Sequence, residues 1–253
     1  MIDKISLAIP FYNTSKYFLD CIRYCIDDNF VSEIIINDDQ STEEEWDNIN
    51  TIVSELNNPK IKLYRNPINL GGFKNKYKTV KKATSNWVYL LDSDNYLHNT
   101  TIDVIKNIQN PDENICYCPE TLIMFSGSFG FENIVREVTY SFPYEKIGAK
   151  ESKEAMNSRI TDFGMFLNTG NFIFSKDNYL NKVLNVYTSG EDVSAADCIA
   201  FQYNWIKNGG YSKVVSGFKY YHRLRSDSYW ESSGHSASSK SSYYEALFCN
   251  ISV

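Results

Sequence analysis

No CxxC pair occurs among the six cysteines, Cys21, Cys25, Cys116, Cys118, Cys198 and Cys249. That spacing removes the usual basis for zinc or thioredoxin-type chemistry. No apolar run approaches the roughly 20 residues that cross a bilayer. Met1-Ile2-Asp3-Lys4 enters a strand-like run directly, so no signal peptide is expected and a cytoplasmic location is the default. Neither GxGxxG nor a Walker sequence is present, which removes the main support for dinucleotide and P-loop binding. Positive charge is in deficit. A formal net charge of −6 suits poorly the neutralisation of a polyphosphate backbone, so no nucleic-acid partner is expected.

Apolar and aromatic residues are plentiful, at 43% and 15% of the 253 residues. They supply a core for one large α/β domain or two small ones. Ile5 to Ile9 is an apolar run of strand length ending at Pro10. Phe18, Cys21, Ile22, Cys25 and Ile26 follow at helical spacing, behind Asn13, Thr14 or Ser15 as a cap. Glu33 to Asn37 reads as a buried strand. Glu43-Glu44-Glu45 then opens a helix at the positive end of its dipole. Ile61 to Tyr64, a lysine-rich helix through Ala83, and Trp87 to Leu91 complete four strands separated by helices. That alternation predicts a parallel sheet with right-handed crossovers.

Beyond about residue 110 the alternation fades. Short strands are expected at Ile115 to Cys118, Leu122 to Phe125 and Asn168 to Phe174, and helices at Lys176 to Leu184 and Ala195 to Lys207. Asn208-Gly209-Gly210 would cap the last helix. Arg225 to Ser242, rich in Ser and Tyr, reads as a mobile loop in which Trp230 and neighbouring tyrosines can stack on a sugar.

Open parallel sheets bind ligands outside the carboxyl ends of their strands. The unusual residues gather there: Pro10-Phe11-Tyr12-Asn13, Asp38-Asp39 and Asp92-Ser93-Asp94. On an extended chain Asp92 and Asp94 share a face while Ser93 turns away. Paired carboxylates at a strand end can hold Mg²⁺ or Mn²⁺, which in turn holds a diphosphate. The alternative is a plain turn, for which Asp, Ser and Asn are also suited. Tyr12 can stack on a nucleobase or sit at a core edge. Asp39 can accept the N3–H of a pyrimidine or cap the next helix. The Gly71-Gly72 helix start can cradle phosphate, with Lys76 at the diphosphate.

The order Ile-Pro-Phe-Tyr-Asn, Asn-Asp-Asp-Gln-Ser-Thr, Asn-x-Gly, Ala83-x-Ser85-x-Trp87 and Leu-Asp-Ser-Asp resembles the family 2 glycosyltransferases of GT-A fold. The likeness is close over residues 4–97 and loose to about 230. It implies an α/β fold whose mostly parallel central sheet is flanked by helices, with a smaller mixed-sheet acceptor half. The whole is expected as a single domain over 1–253: a donor half 1–97, an acceptor half 98–225 and a mobile segment 226–253. It implies a nucleotide-sugar donor, here a UDP-sugar, transfer with inversion, a glycan or other hydroxyl acceptor, and Mn²⁺ or Mg²⁺. Donor contacts would come from Pro10, Tyr12, Asn13, Asp39, Gly71, Lys76, Asp92 and Ser93. The metal would be held by Asp94, with Asp92 and His222 as further candidates.

Deprotonation of the acceptor hydroxyl needs a carboxylate. By the resemblance this is Asp197, twelve residues before Gly209, with Asp192 as the alternative. Four positions depart from the family pattern. Gln40 replaces a glycine, Lys76 an arginine, and Tyr77 and Thr79 stand where Asn and Gly are common. Two other functions fit an acidic α/β sheet. One is a sugar nucleotidyltransferase, although Phe11-Tyr12-Asn13 is not its glycine-rich loop. The other is a silent GT-A domain that binds a glycan or a partner.

Overall fold

In the computed structural model the four apolar runs are strands of one sheet, three of them buried on both faces and the one at Ile61–Arg65 half-buried. The structure describes residues 1–190, 193 and 195–253, with the side chains of 229–234 and 237 outside the description. The first half runs β1 (Ile5–Phe11), α1 (Ser15–Ile22), β2 (Val31–Asp38), α2 (Glu43–Leu56), β3 (Ile61–Arg65), α3 (Gly72–Lys81), β4 (Trp87–Leu90) and α4 (Asn99–Lys106). The second half runs β5 (Ile115–Ser126), β6 (Ile134–Thr139), α5 (Ala149–Asn157), α6 (Phe163–Leu167), β7 (Ile173–Ser175), α7 (Lys176–Lys182), α8 (Leu184–Ser189), α9 (Asp197–Lys207), β8 (Tyr211–Leu224) and α10 (Tyr229–Cys249). Among the described residues no helix is long and apolar enough to cross a membrane.

The sheet has the order β3-β2-β1-β4-β7-β5-β6, with β8 on β5. β3, β2, β1 and β4 are mutually parallel, β7 is antiparallel to β4, and β8 is parallel to β5. Strand alternation sorts the core into two layers. Leu7, Ile9, Tyr89 and Leu91 pack with Phe18, Ile49 and Ile102 of α1, α2 and α4. Ala8, Val88 and Leu90 pack with Phe73 and Val80 of α3 and with Phe201 and Trp205 of α9. α1 and α2 therefore lie on one face and α3 on the other. The chain order reverses between β1 and β4, and the crevice at that reversal is where such sheets bind ligands. Pro10 is tolerated within β1 because the ladder to β4 ends two residues earlier, at Ala8 against Leu90.

Three expectations change in the second half. The two strands expected around Pro119 are one twelve-residue strand, β5, whose register against β8 shifts between Pro119 and Thr121. A bulge there absorbs the missing N–H of the proline. The strand expected over Asn168 to Phe174 is confined to Ile173–Ser175. The loop expected from Arg225 to Ser242 is mostly helix α10, with Tyr244 and Phe248 packed on Tyr203 of α9.

Candidate active site

Asp92-Ser93-Asp94-Asn95 lies just beyond β4, not on it. Asn95 N–H donates to the Asp92 carbonyl at 3.1 Å, so a turn rather than strand alternation brings the two carboxylates together. Asn95 then ties this turn to β8. Its Oδ1 accepts from Arg223 N–H at 3.0 Å, and its Nδ2 donates to the Tyr220 hydroxyl at 3.2 Å. Ser93 is buried, and its hydroxyl lies 2.7 Å from that of Thr14. The acidic turn is thus fixed from the start of α1 on one side and from β8 on the other.

Asp94 is buried. Burial and then the neighbouring charge of Asp92 raise its carboxyl above the ordinary range, against the pull of Arg225 and His222. Arg225 Nη1 lies 3.4 Å from Asp94 Oδ2. Arg223, 2% exposed, donates from Nε to the Asp94 carbonyl at 2.8 Å and from Nη1 to the Gly127 carbonyl, and pairs with Asp20 at 3.3 Å. Its guanidinium also covers the Tyr17 ring at 4.5 Å. His222 has Nδ1 2.9 Å from the Tyr220 hydroxyl. Burial lowers its pKa, although Asp94 and Asp92 act the other way.

Lys76, on the second turn of α3, reaches across the cleft. Its Nζ stands 2.9 Å from Asp92 Oδ1 and 2.8 Å from Asp197 Oδ2, with the lysine and Asp197 side chains each 13% exposed. Burial alone pulls the ammonium down. Asp197 and Asp92 outweigh it and hold the lysine well above its usual pKa. Asp197 occupies the first turn of α9. Phe73, Gly170, Asn171, Phe172, Tyr179 and Phe201 wall the cleft around the pair. Asp192 lies outside the described residues, as does the side chain of Trp230.

The base-side candidates split. Tyr12 is half exposed at the mouth of the crevice, free to offer a ring face. Asn13, at φ +52°, accepts from Thr42 N–H at 3.0 Å through Oδ1 and donates its own N–H to Ser41 at 2.9 Å. Asp39 does not cap α2; the Thr42 side chain does. The Asp39 carboxylate instead accepts from Asn66 Nδ2 at 2.8 Å, Leu70 N–H at 2.9 Å and Gly71 N–H at 2.8 Å. Burial still raises its pKa. Gly71, at φ +81°, therefore directs its N–H to Asp39 and not outward to a phosphate. Gln40 has φ +63°, which explains why glycine is usual at that position.

Among the described residues no three His, Cys, Asp or Glu side chains gather closely enough to hold a metal ion by themselves. The expected trio of Asp92, Asp94 and His222 is therefore not assembled as a cage. The two carboxylates are drawn to Lys76 and Arg225, and the imidazole to Tyr220. The donor set nonetheless suits Mg²⁺ or Mn²⁺, which take one or two carboxylates and complete their shell with phosphate oxygens and water. His222 also has the form of a ligating histidine. Its Nδ1 is oriented by a hydroxyl, and its Nε2 makes no hydrogen bond among the described residues. Asp20, Thr14, Tyr220 and Gly170 were not apparent as site residues in the sequence. A Cβ on Gly170 would stand 3.2 Å from Asp92 Oδ2, so that glycine lets the chain pass against the acidic turn.

The family model described as glycosyl transferase family 2 matches residues 6–169, well over half of the chain. The chain belongs to glycosyl transferase family 2. The match spans the acidic turn and Lys76 and stops short of Asp197 and β8. An uncharacterized glycosyltransferase of Haemophilus influenzae is 27% identical over 128 residues, 50% of this chain and 47% of that protein. The glycosyltransferase GlyG of Streptococcus pneumoniae serotype 4 is 25% identical over 117 residues, 46% of this chain and 38% of that one. The chain therefore spans less than half the length of these curated relatives. Among solved structures, S. aureus TarS 1-349 in complex with UDP-GlcNAc has a TM-score of 0.61 at 19% identity, covering 99% of this chain and 68% of that one. GalNAc-T7 with UDP, GalNAc and Mn²⁺ also gives 0.61, at 17% identity over 88% of this chain and 43% of that one. The shared architecture is the GT-A fold.

Proposed function

We propose that this family 2 member transfers a sugar from a UDP-sugar to a hydroxyl of a glycan or similar acceptor, with inversion at the anomeric carbon and with Mn²⁺ or Mg²⁺. The observation that carries the reading is the meeting of Asp92, Lys76 and Asp197 in one cleft at the sheet reversal. TarS binds UDP-GlcNAc and GalNAc-T7 binds UDP with Mn²⁺ on the same fold, which supports the donor and the metal. The organisation we propose is one domain, with residues 1–97 binding donor and 98–225 binding acceptor. The six free cysteines accord with a reducing cytoplasm.

Tyr12 offers a stacking face to the uracil. Asp39 holds the 69–71 loop in place beneath it, and the loop leads into α3 and so positions Lys76. Asp94 and Asp92 are the residues that would hold the metal, with His222 beside them. When bound, the ion supplies positive charge to the diphosphate leaving group. Asp197 accepts the proton of the acceptor hydroxyl. The acceptor oxygen bonds to the anomeric carbon from the face opposite the departing UDP, and the bond from that carbon to the β-phosphate oxygen breaks. Lys76 and Arg225 are placed to balance the charge that UDP carries away.

A second reading is favoured by one observation. Lys76 and Arg225 already sit on the two carboxylates, so transfer can proceed on these cationic side chains without a metal. The test is UDP release from a panel of UDP-sugars, with Mn²⁺ or with a chelator. Slow metal-dependent hydrolysis supports the proposal, and chelator-insensitive hydrolysis supports the second reading. Pyrophosphate release from a nucleoside triphosphate, with no UDP release, would overturn both.

A further inference from the structure

Lys76 engages Asp197 and Asp92 together, and those two carboxylates come from opposite ends of the chain's site: the start of α9 and the turn after β4. The closeness is built into the backbone. A Cβ on Gly72, at the start of α3, would stand 3.4 Å from Asp197 Oδ2. The ammonium therefore occupies the Oδ2 side of Asp197, where an acceptor hydroxyl could otherwise approach. Donor-free, the base is masked.

We propose that Lys76 couples donor binding to exposure of the base: it masks Asp197 in the empty site and leaves it for the diphosphate when donor arrives. This rests on the reading of the donor as a UDP-sugar. The lysine stem has four methylenes and its ammonium three donors, so the head can swing from Asp197 to a phosphate oxygen while α3 stays fixed and Asp92 remains within reach. Nothing else is moved: Asp197 keeps its place on α9, and the cleft walls remain. Lys76 is in this sense a positioning residue for Asp197.

The consequence is thermodynamic, and it can be read without turnover. If Lys76 must leave Asp197 to grip UDP, neutralising Asp197 strengthens UDP binding, although Asp197 is not a UDP contact. Calorimetric titration of UDP with Mn²⁺ into wild type, Asp197→Asn, Lys76→Met and the double variant gives a complete cycle. Asp197→Asn is expected to bind UDP about tenfold more tightly than wild type. In the Lys76→Met background the same change is expected to alter affinity less than about twofold. A simple through-space effect of the Asp197 charge would survive in that background, so equal tightening in both overturns the inference. Unchanged or weaker binding by Asp197→Asn overturns it as well. Asp197→Ser serves in the same cycle if the asparagine variant does not fold. If wild type itself binds no UDP, the donor reading fails, and that outcome is distinct because it appears before any substitution is made.

Discussion

Asp39 offers the sharpest test of how the site is held. Its carboxylate accepts from Leu70 N–H, Gly71 N–H and Asn66 Nδ2 at 2.8 to 2.9 Å, and the residue is 3% exposed. Asp39→Ala leaves two backbone donors and one amide without their acceptor. A buried donor without a partner costs about 1–3 kcal/mol. Leu70 and Gly71 are only partly buried, so water recovers some of the loss and the total comes to about 3–5 kcal/mol. At about 2–4 °C per kcal/mol for a chain of this size, the melting temperature falls by about 10 °C. Asp39→Asn keeps one acceptor oxygen but sets an NH₂ against a backbone N–H, so it costs about 2 kcal/mol. The assay is thermal and urea unfolding of the ligand-free variants, which removes any contribution from donor contact. An alanine variant that melts within a degree of wild type would refute the pinning of this loop by Asp39.

Gln40 holds φ +63°, a conformation that costs a side chain about 1 kcal/mol or more. Gln40→Gly is expected to raise stability by about 0.5 kcal/mol after the added freedom of the unfolded chain, read as a higher urea midpoint. Glu33 gives the pH dependence. Burial raises its carboxyl, but Lys62, Ser6 and Thr84 outweigh that and lower it from 4.5 to about 2. Its contribution is therefore complete above pH 4.5 and is lost as pH falls toward about 2. Glu33→Gln is expected to cost at most about 3 kcal/mol at pH 7, with the gap to wild type closing near pH 2 in urea unfolding.

Three of the first four strands were legible because they are parallel and largely buried, so each carries a short apolar run, whereas the edge strand β3 is only half-buried and alternates apolar with polar residues. The second half hid its elements for particular reasons. Pro119 broke β5 on paper, while the fold bends around it through a bulge. β8 carries Lys, Ser and Gly217 among its apolar residues, since much of its length is only half covered. α10 begins in a serine-rich stretch with little periodicity and takes its place by packing Tyr244 and Phe248 on α9.

The site followed the same division. Asp92 and Asp94 announced themselves as charges at a strand end, Lys76 followed from the Gly71-Gly72 helix start and Asp197 from the family resemblance, and the structure brings Lys76, Asp92 and Asp197 into contact. The contacts of Arg223 with Asp20 and the Asp94 carbonyl, like the Thr14 to Ser93 pair, join residues far apart in the chain. No local pattern encodes such contacts. In the sequence Asp39 reads equally well as a base contact or a cap, and its role as a loop anchor emerges only where Leu70 and Gly71 point their N–H groups at it.

Titration calorimetry of UDP with Mn²⁺, repeated with a chelator and with Asp94→Asn, bears most directly on a metal-linked nucleotide site at the acidic turn. Binding that is strong with Mn²⁺ and falls at least about tenfold both on chelation and in the variant is the expected result. Binding of equal strength in all three conditions, or none in any, would contradict it.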